Sequence, residues 1–229
     1  MLAIVASRHD ATARMLADAW SHLDAALLTA TDLSTPGWRY EIPAGPQECA
    51  VVDGRRVPRG EISGVLIRLP CVTADELGHV AAEDRAYVAT EMTAFLAAWL
   101  SNLACPVLNR PTINCLSGPA WRNEQWLHLS ARIGIPTVEW ELDTELPVCG
   151  APAGSSVTVL GNRCFGEVHG TLQDHACSLA RAAGVELLEV RFTGPDADAP
   201  LRAVSLWPDL TPPEVCDAIG QYFSGARPC

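Results

Sequence analysis

Short continuous apolar runs alternate along this chain with longer segments whose apolar residues recur at helical spacing. Leu2 to Ser7 is such a run. Asp10 after it can cap a helix carrying Met15, Leu16, Ala19, Trp20 and Leu23 on one face. Ala25 to Ala30 reads as a second strand and Trp38 to Ile42 as a third. Ala50 to Val52 then leads into Asp53-Gly54, a hairpin turn signal, and returns through Arg55, Arg56 and Val57. The unbroken run from Gly64 to Arg68 predicts a strand covered on both faces. Thr73 and Glu76 have capping-box spacing for a short helix. The strongest helical period follows, with Tyr87, Val88, Met92, Phe95, Leu96, Trp99, Leu100 and Leu103 at helical spacing and Glu91 as the polar exception. Pro106 to Asn109 closes this half as a short strand.

The second half opens on Ser117, Gly118 and Pro119, which read as a helix start. That helix runs through Trp126 and Leu127 and stops at Gly134. Thr137 to Leu142 reads as a strand, and residues 143–155 as a loop. Ser156 to Leu160 and Arg163 to Val168 make a hairpin around Gly161-Asn162. Thr171 caps a helix ending at Gly184, followed by strands Val185 to Phe192 and Leu201 to Trp207. Thr211, Pro212 and Glu214 open a last helix that buries Val215, Ile219 and Phe223. The alternation over 1–115 predicts an α/β, Rossmann-like domain with an open, mostly parallel sheet. Residues 116–229 are expected to form a second, α+β domain.

With 229 residues and 48% hydrophobic content, the chain has ample material for packed cores. A formal charge of −11 excludes nonspecific nucleic-acid binding and suits a basic peptide or protein partner. No apolar run reaches the roughly 18 residues that cross a bilayer. The first residues run from a strand straight into Arg8, His9 and Asp10, unlike a signal peptide, so a cytoplasmic location is expected. Homo-oligomerisation stays open. The nine cysteines include no C-x-x-C pair and are expected to be buried free thiols. Cys164, His169, His175 and Cys177 are a local cluster of zinc-compatible types, but their spacing matches no familiar closed site. Capping or solvation is the expected role of the histidines.

All 16 basic residues are arginine; the chain has no lysine. A composition rich in Ala, Arg, Gly and Pro accounts for this at solvated positions. The absence matters only where a site requires lysine.

The order of segments resembles that of the ATP-grasp ligases, in particular the graspetide (microviridin-type) branch that modifies ribosomal peptides. GVLIRLP at 64–70 resembles the strand with that branch's Arg-Arg-Pro signature. YVATEMTAFLAAWL at 87–100 resembles the helix that follows it, with its glutamate at Glu91. PVLNRP at 106–111 and WRNEQWLHLSARIGIPTVEW at 121–140 resemble the next strand and helix-strand unit. SVTVLGNRCFGEV resembles a later hairpin, and LARAAGVELLEVRF with LRAVSLWPDLTP the final pair of strands. The resemblance implies a pre-ATP-grasp-like domain over 1–115 and a reduced ATP-grasp-like domain over 116–229. Each motif alone is weak; their order carries the likeness, and a fold does not fix an activity.

The resemblance also implies where nucleotide chemistry should reside, and there the chain departs from it. Arg122 stands at the first lysine of the family's helix, and an arginine can still meet a phosphate. Arg191 stands at the aspartate of a G-x-D motif, Ser205 at the glutamate and Trp207 at the asparagine of E-x-N-P. Mg²⁺ sites rest on hard oxygens with at least one carboxylate, so guanidinium, hydroxyl and indole in these places remove both charge and coordination. The stretch between Trp140 and Ser156 is also too short for the usual nucleotide lid with its second lysine.

These departures predict a protein without catalytic residues, cofactor or metal, acting through a peptide- or protein-binding surface. Arg68, Glu91, Arg110 and Arg122 are the contact candidates, with Arg68 and Glu91 read as a retained polar pair of either structural or ligand-binding use. If the face bearing Ala203, Ser205 and Trp207 looks into the former cleft, Trp207 plugs it; an ordinary core or edge tryptophan fits equally. The alternative is a miniature ligase or transferase holding an anionic ligand through Arg110, Arg122 and Arg191. Nucleophilic chemistry at Cys71 or Cys164 lacks any histidine that the sequence places nearby.

Overall fold

The structure is a computed structural model describing residues 1–43, 45–139 and 154–225. The chain divides into two compact units. One comprises Met1–Pro119 with the chain from Leu210 onward, and the other Ala120–Asp209. This differs from a single cut near residue 115, because the terminal helix belongs with the first unit.

In the first unit β1 (Leu2–Ala6), β2 (Ala25–Leu28), β5 (Gly64–Arg68) and β6 (Val107–Leu108) form an all-parallel sheet in the order β2-β1-β5-β6. Parallel strands need crossovers, and α1 (Ala11–Ala19) and α3 (Arg85–Asn102) supply two of them. Asp10 starts α1 as its pattern requires, its Oδ1 accepting from the Ala13 amide at 2.9 Å. Between β2 and β5 lie the short helix α2 (Ala30–Leu33) and the hairpin β3 (Cys49–Val52) and β4 (Arg55–Pro58). Asp53 and Gly54 both have positive φ, 51° and 68°, as a tight two-residue hairpin demands. The core here includes Val5, Leu28, Val52, Val65, Leu96, Trp99 and Leu100.

Helix α6 (Pro213–Ser224) returns to this unit. The Trp20 indole N–H donates to the Cys216 carbonyl at 3.2 Å. A Cβ on Gly64 would stand 2.3 Å from the Phe223 ring, so β5 needs glycine where the helix lies on it.

The second unit contains α4 (Asn123–Arg132), β7 (Ser155–Leu160), β8 (Arg163–Phe165), α5 (Gly170–Ala183), β9 (Leu187–Phe192) and β10 (Leu201–Ser205). Its sheet is antiparallel throughout, in the order β10-β9-β7-β8. The buried side chains of β7 and β9, Val157, Val159, Leu188 and Val190, share one core with Trp126 and Leu127 of α4 and with Leu172, Ala176 and Leu179 of α5.

Several expectations change at element ends. Trp38 to Ile42 makes only an isolated bridge, Arg39 to Cys49. The Thr73–Glu76 segment is a 3₁₀ turn, Ala74–Glu76, and the Glu76 carboxylate accepts from the Ser7 hydroxyl rather than closing a capping box. Helix α4 starts at Asn123, later than Pro119, and His169 rather than Thr171 caps α5. Thr137 bridges Leu201, while Trp140 and most of the 143–155 stretch lie outside the described residues, as does the shortened lid read there.

Candidate functional site

Two of the positions compared with nucleotide-binding residues, Arg191 and Ser205, lie on one face of the second unit's sheet. Directly opposed residues of antiparallel strands share a face. Thr158 on β7, Glu189 on β9 and Ser205 on β10 therefore form one cross-strand row, with Ser156, Arg191 and Ala203 as the next. The opposite face carries Val157, Val190 and Val204, which join the core beneath. A register irregularity between Leu201 and Ala203 sets this division, since Leu201 pairs with Phe192 and Ala203 with Arg191. The extra residue, Arg202, turns Leu201 into the core although it has the same parity as Ala203.

Glu189 is buried, and Arg191 holds it bidentately: Nε to Oε1 and Nη2 to Oε2 are both 3.1 Å. The pairing pushes the Arg191 guanidinium above its ordinary pKa, through the hydrogen bond first and the charge second. The arginine read as replacing a metal-binding aspartate, or as a contact for an anionic ligand, is half of an ion pair within its own strand. Sequence reasoning missed Glu189, although the strand period shows it, since residues two apart on a strand share a face.

The other candidates separate in the same way. Trp207 lies beyond the end of β10, its amide donating to the Ser205 hydroxyl at 3.0 Å. Its side chain is 40% exposed, so it does not plug a cleft: the strand stops before the alternation reaches it. Arg122 is the N-cap of α4, where its amide donates to Gln125 Oε1 at 2.9 Å, and its side chain is exposed.

In the first unit Arg68 pairs with Asp10, Nε to Oδ2 at 2.8 Å, both largely buried. Glu91 is exposed on α3, so Arg68 and Glu91 are not partners. Arg110 donates to the carbonyls of Leu100, Leu103 and Cys105 and thereby ties down the C-terminal end of α3. Its guanidinium is committed to the backbone.

Among the described residues no three His, Cys, Asp or Glu side chains converge to hold a metal. His169 Nδ1 accepts from the Thr171 amide at 3.2 Å as a helix cap. The cysteines are not uniformly free thiols, because Cys105 is disulfide-bonded.

Three solved structures share the chain's architecture. The ligase PsnB with minimal precursor, Mg and ADP superposes with a TM-score of 0.66 and 14% identity over 97% of each chain. A RiPP-associated ATP-grasp ligase from Chryseobacterium gregarium, in complex with ADP and a leader and core peptide, gives 0.67 and 9% over 100% of this chain and 98% of that one. The chain has the ATP-grasp fold. The macrocyclase MdnC of Microcystis aeruginosa, bound with precursor peptide MdnA, gives 0.63 and 10% over 99% of this chain and 100% of that one. No protein-family model matches the chain, and no curated protein does. At 9–14% identity the likeness is one of ATP-grasp architecture, and the polar face of β7, β9 and β10 must be judged on its own residues.

Proposed function

We propose that this protein is a non-catalytic member of the ATP-grasp group, acting as a peptide- or protein-binding partner in a peptide-modification pathway. The observation that carries the reading is the Glu189–Arg191 pair. Arg191, which the resemblance sets at the place of a metal-binding aspartate, takes up the buried carboxylate beside it. The remaining oxygens of that row are the neutral hydroxyls of Thr158 and Ser205, which leaves no free carboxylate in it for Mg²⁺. Without metal, the β- and γ-phosphates lose the counter-charge that phosphoryl transfer needs. A peptide partner is supported by the neighbours of this fold that were solved with precursor peptides.

The alternative, an anionic ligand held by three arginines, is weakened at two of them. Arg110 is committed to three carbonyls and Arg191 to Glu189, and of the three only Arg122 keeps an exposed cap position without such a tie.

Calorimetric titration tests the reading. Mg-ATP should bind no tighter than a Kd of about 1 mM. A precursor-type peptide encoded beside the gene should bind more tightly, by at least about tenfold. Micromolar Mg-ATP affinity that is lost in Arg122→Ala would overturn the proposal in favour of a miniature ligase.

A further inference from the structure

The geometry points to a modification site away from the polar face: Cys164 and Cys177 form a neighbouring dithiol that a hydroperoxide closes to an intramolecular disulfide. Both are free cysteines, both are half-buried, and both pack against the same core of the second unit. Cys164 lies on β8 and Cys177 on α5, elements in direct contact. The Cys164 thiol donates to the Gln173 carbonyl at 3.5 Å. In an α-helix that carbonyl faces the amide of the residue four positions on, which here is Cys177. One sulfur is thereby set against the turn from which the other projects.

Other thiols are placed differently. Cys49 donates to the Gln47 carbonyl at 3.2 Å, and Cys115 meets the Ser117 hydroxyl at 3.3 Å. A disulfide requires specific separations and a dihedral near a right angle. β8 is an edge strand of three residues, paired on one side only.

The surroundings assign the two thiols different parts. Burial pushes the Cys164 thiol up to about 12, with the Cys177 hydrogen bond next and the charges of Cys177 and Asp174 after it. With the Cys164 thiol engaged by the Gln173 carbonyl, Cys177 is assigned the first attack and Cys164 the second. Its thiolate takes the terminal oxygen of the hydroperoxide, the O–O bond breaks, and water or an alcohol leaves. Cys177 is then a sulfenic acid. The Cys164 sulfur attacks the Cys177 sulfur, the S–O bond breaks, and water departs with the Cys164 proton. Two thiols and one hydroperoxide give one disulfide, one water, and one alcohol or second water. The product ties the edge of the sheet to α5.

The chain has no lysine, so trypsin cuts after Arg163 and Arg181 and releases both cysteines in a single peptide, residues 164–181. The full-length protein is treated with hydrogen peroxide, blocked with N-ethylmaleimide, digested and weighed. The expected peptide carries no maleimide and is two hydrogens lighter; after dithiothreitol it accepts two. In Cys164→Ser the sulfenic acid of Cys177 should persist and be trapped by dimedone, several-fold more than in the unaltered protein. A peptide that still takes two maleimides, a Cys177 overoxidised to sulfinic acid, or a bond from either cysteine to a different one overturns the inference. If Cys164→Ser does not fold, the mass of the unaltered peptide decides alone.

Discussion

Glu189 and Arg191, two residues apart on β9, face the same side of the sheet and hold each other through two hydrogen bonds of 3.1 Å. The carboxylate is buried while the guanidinium is mostly exposed. This asymmetry governs what substitution there should do. Removing the arginine leaves a desolvated carboxylate without its cation, whereas removing the glutamate leaves a cation that water can solvate.

Arg191→Ala should therefore lower stability by about 1–2 kcal/mol, and Glu189→Gln by less than about 1 kcal/mol. The folded state raises the Arg191 pKa, so this contribution is fully present below the ordinary arginine pKa and fades only as pH rises through the still higher folded value. Urea unfolding at pH 6 and pH 9 should give the same loss for Arg191→Ala. A loss that appears at one pH only would assign it to another group.

Rebuilding a metal-type face with Arg191→Asp, Ser205→Glu and Trp207→Asn should not confer Mg-ATP binding. It places three carboxylates, with Glu189, on adjoining positions of one sheet face, and like charges so placed repel. The triple variant should be less stable than Arg191→Ala alone. Millimolar MgCl₂ that restores its midpoint would show that the face still coordinates the ion.

Trp207 and Trp126 offer a matched comparison. Trp207 is 40% exposed and Trp126 is 2% exposed. Trp207→Ala should cost less than about 1 kcal/mol, against about 3–5 kcal/mol for Trp126→Ala. A partner-binding loss in Trp207→Ala at unchanged stability would assign its ring to recognition.

Asp10→Ala removes the cap of α1 and strands Arg68, which is only 15% exposed. A loss of about 3 kcal/mol is expected, more than either a cap or a surface pair contributes alone. Asp10→Asn keeps the cap oxygen and should recover about 1 kcal/mol of it. Equal losses in the two variants, measured by urea unfolding, would mean the cap is unimportant.

The Cys164 thiol, raised from 9.0 to about 12, contributes stability that is complete below pH 9 and declines as pH rises towards 12. At pH 8.5 its alkylation by iodoacetamide should be at least about tenfold slower in the folded protein than in urea. Equal rates would place the thiol in solvent.

Much of the architecture was legible in the residues. Asp10 as a helix cap, Asp53-Gly54 as a tight turn, the unbroken apolar run of 64–68 and Gly184 ending α5 each follow from local chemistry. So does the order of elements that resembles the ATP-grasp ligases. These features depend on neighbours within a few positions, and hydrophobic periodicity with backbone restriction is enough to fix them. Even the Glu189–Arg191 pair was readable from the two-residue period of a strand.

Tertiary structure decided what depends on distant parts of the chain. Arg68 pairs with Asp10 rather than Glu91, and Arg110 closes the end of α3. Helix α6 returns to the first unit because a bare Gly64 admits the Phe223 ring. The bulge at Arg202 changes which residues of β10 face the core, and the strand ends before Trp207 can be buried. Partner choice among arginines and carboxylates turns on which groups folding brings within about 3 Å. Sequence separation carries no information about that distance once the chain has crossed a sheet.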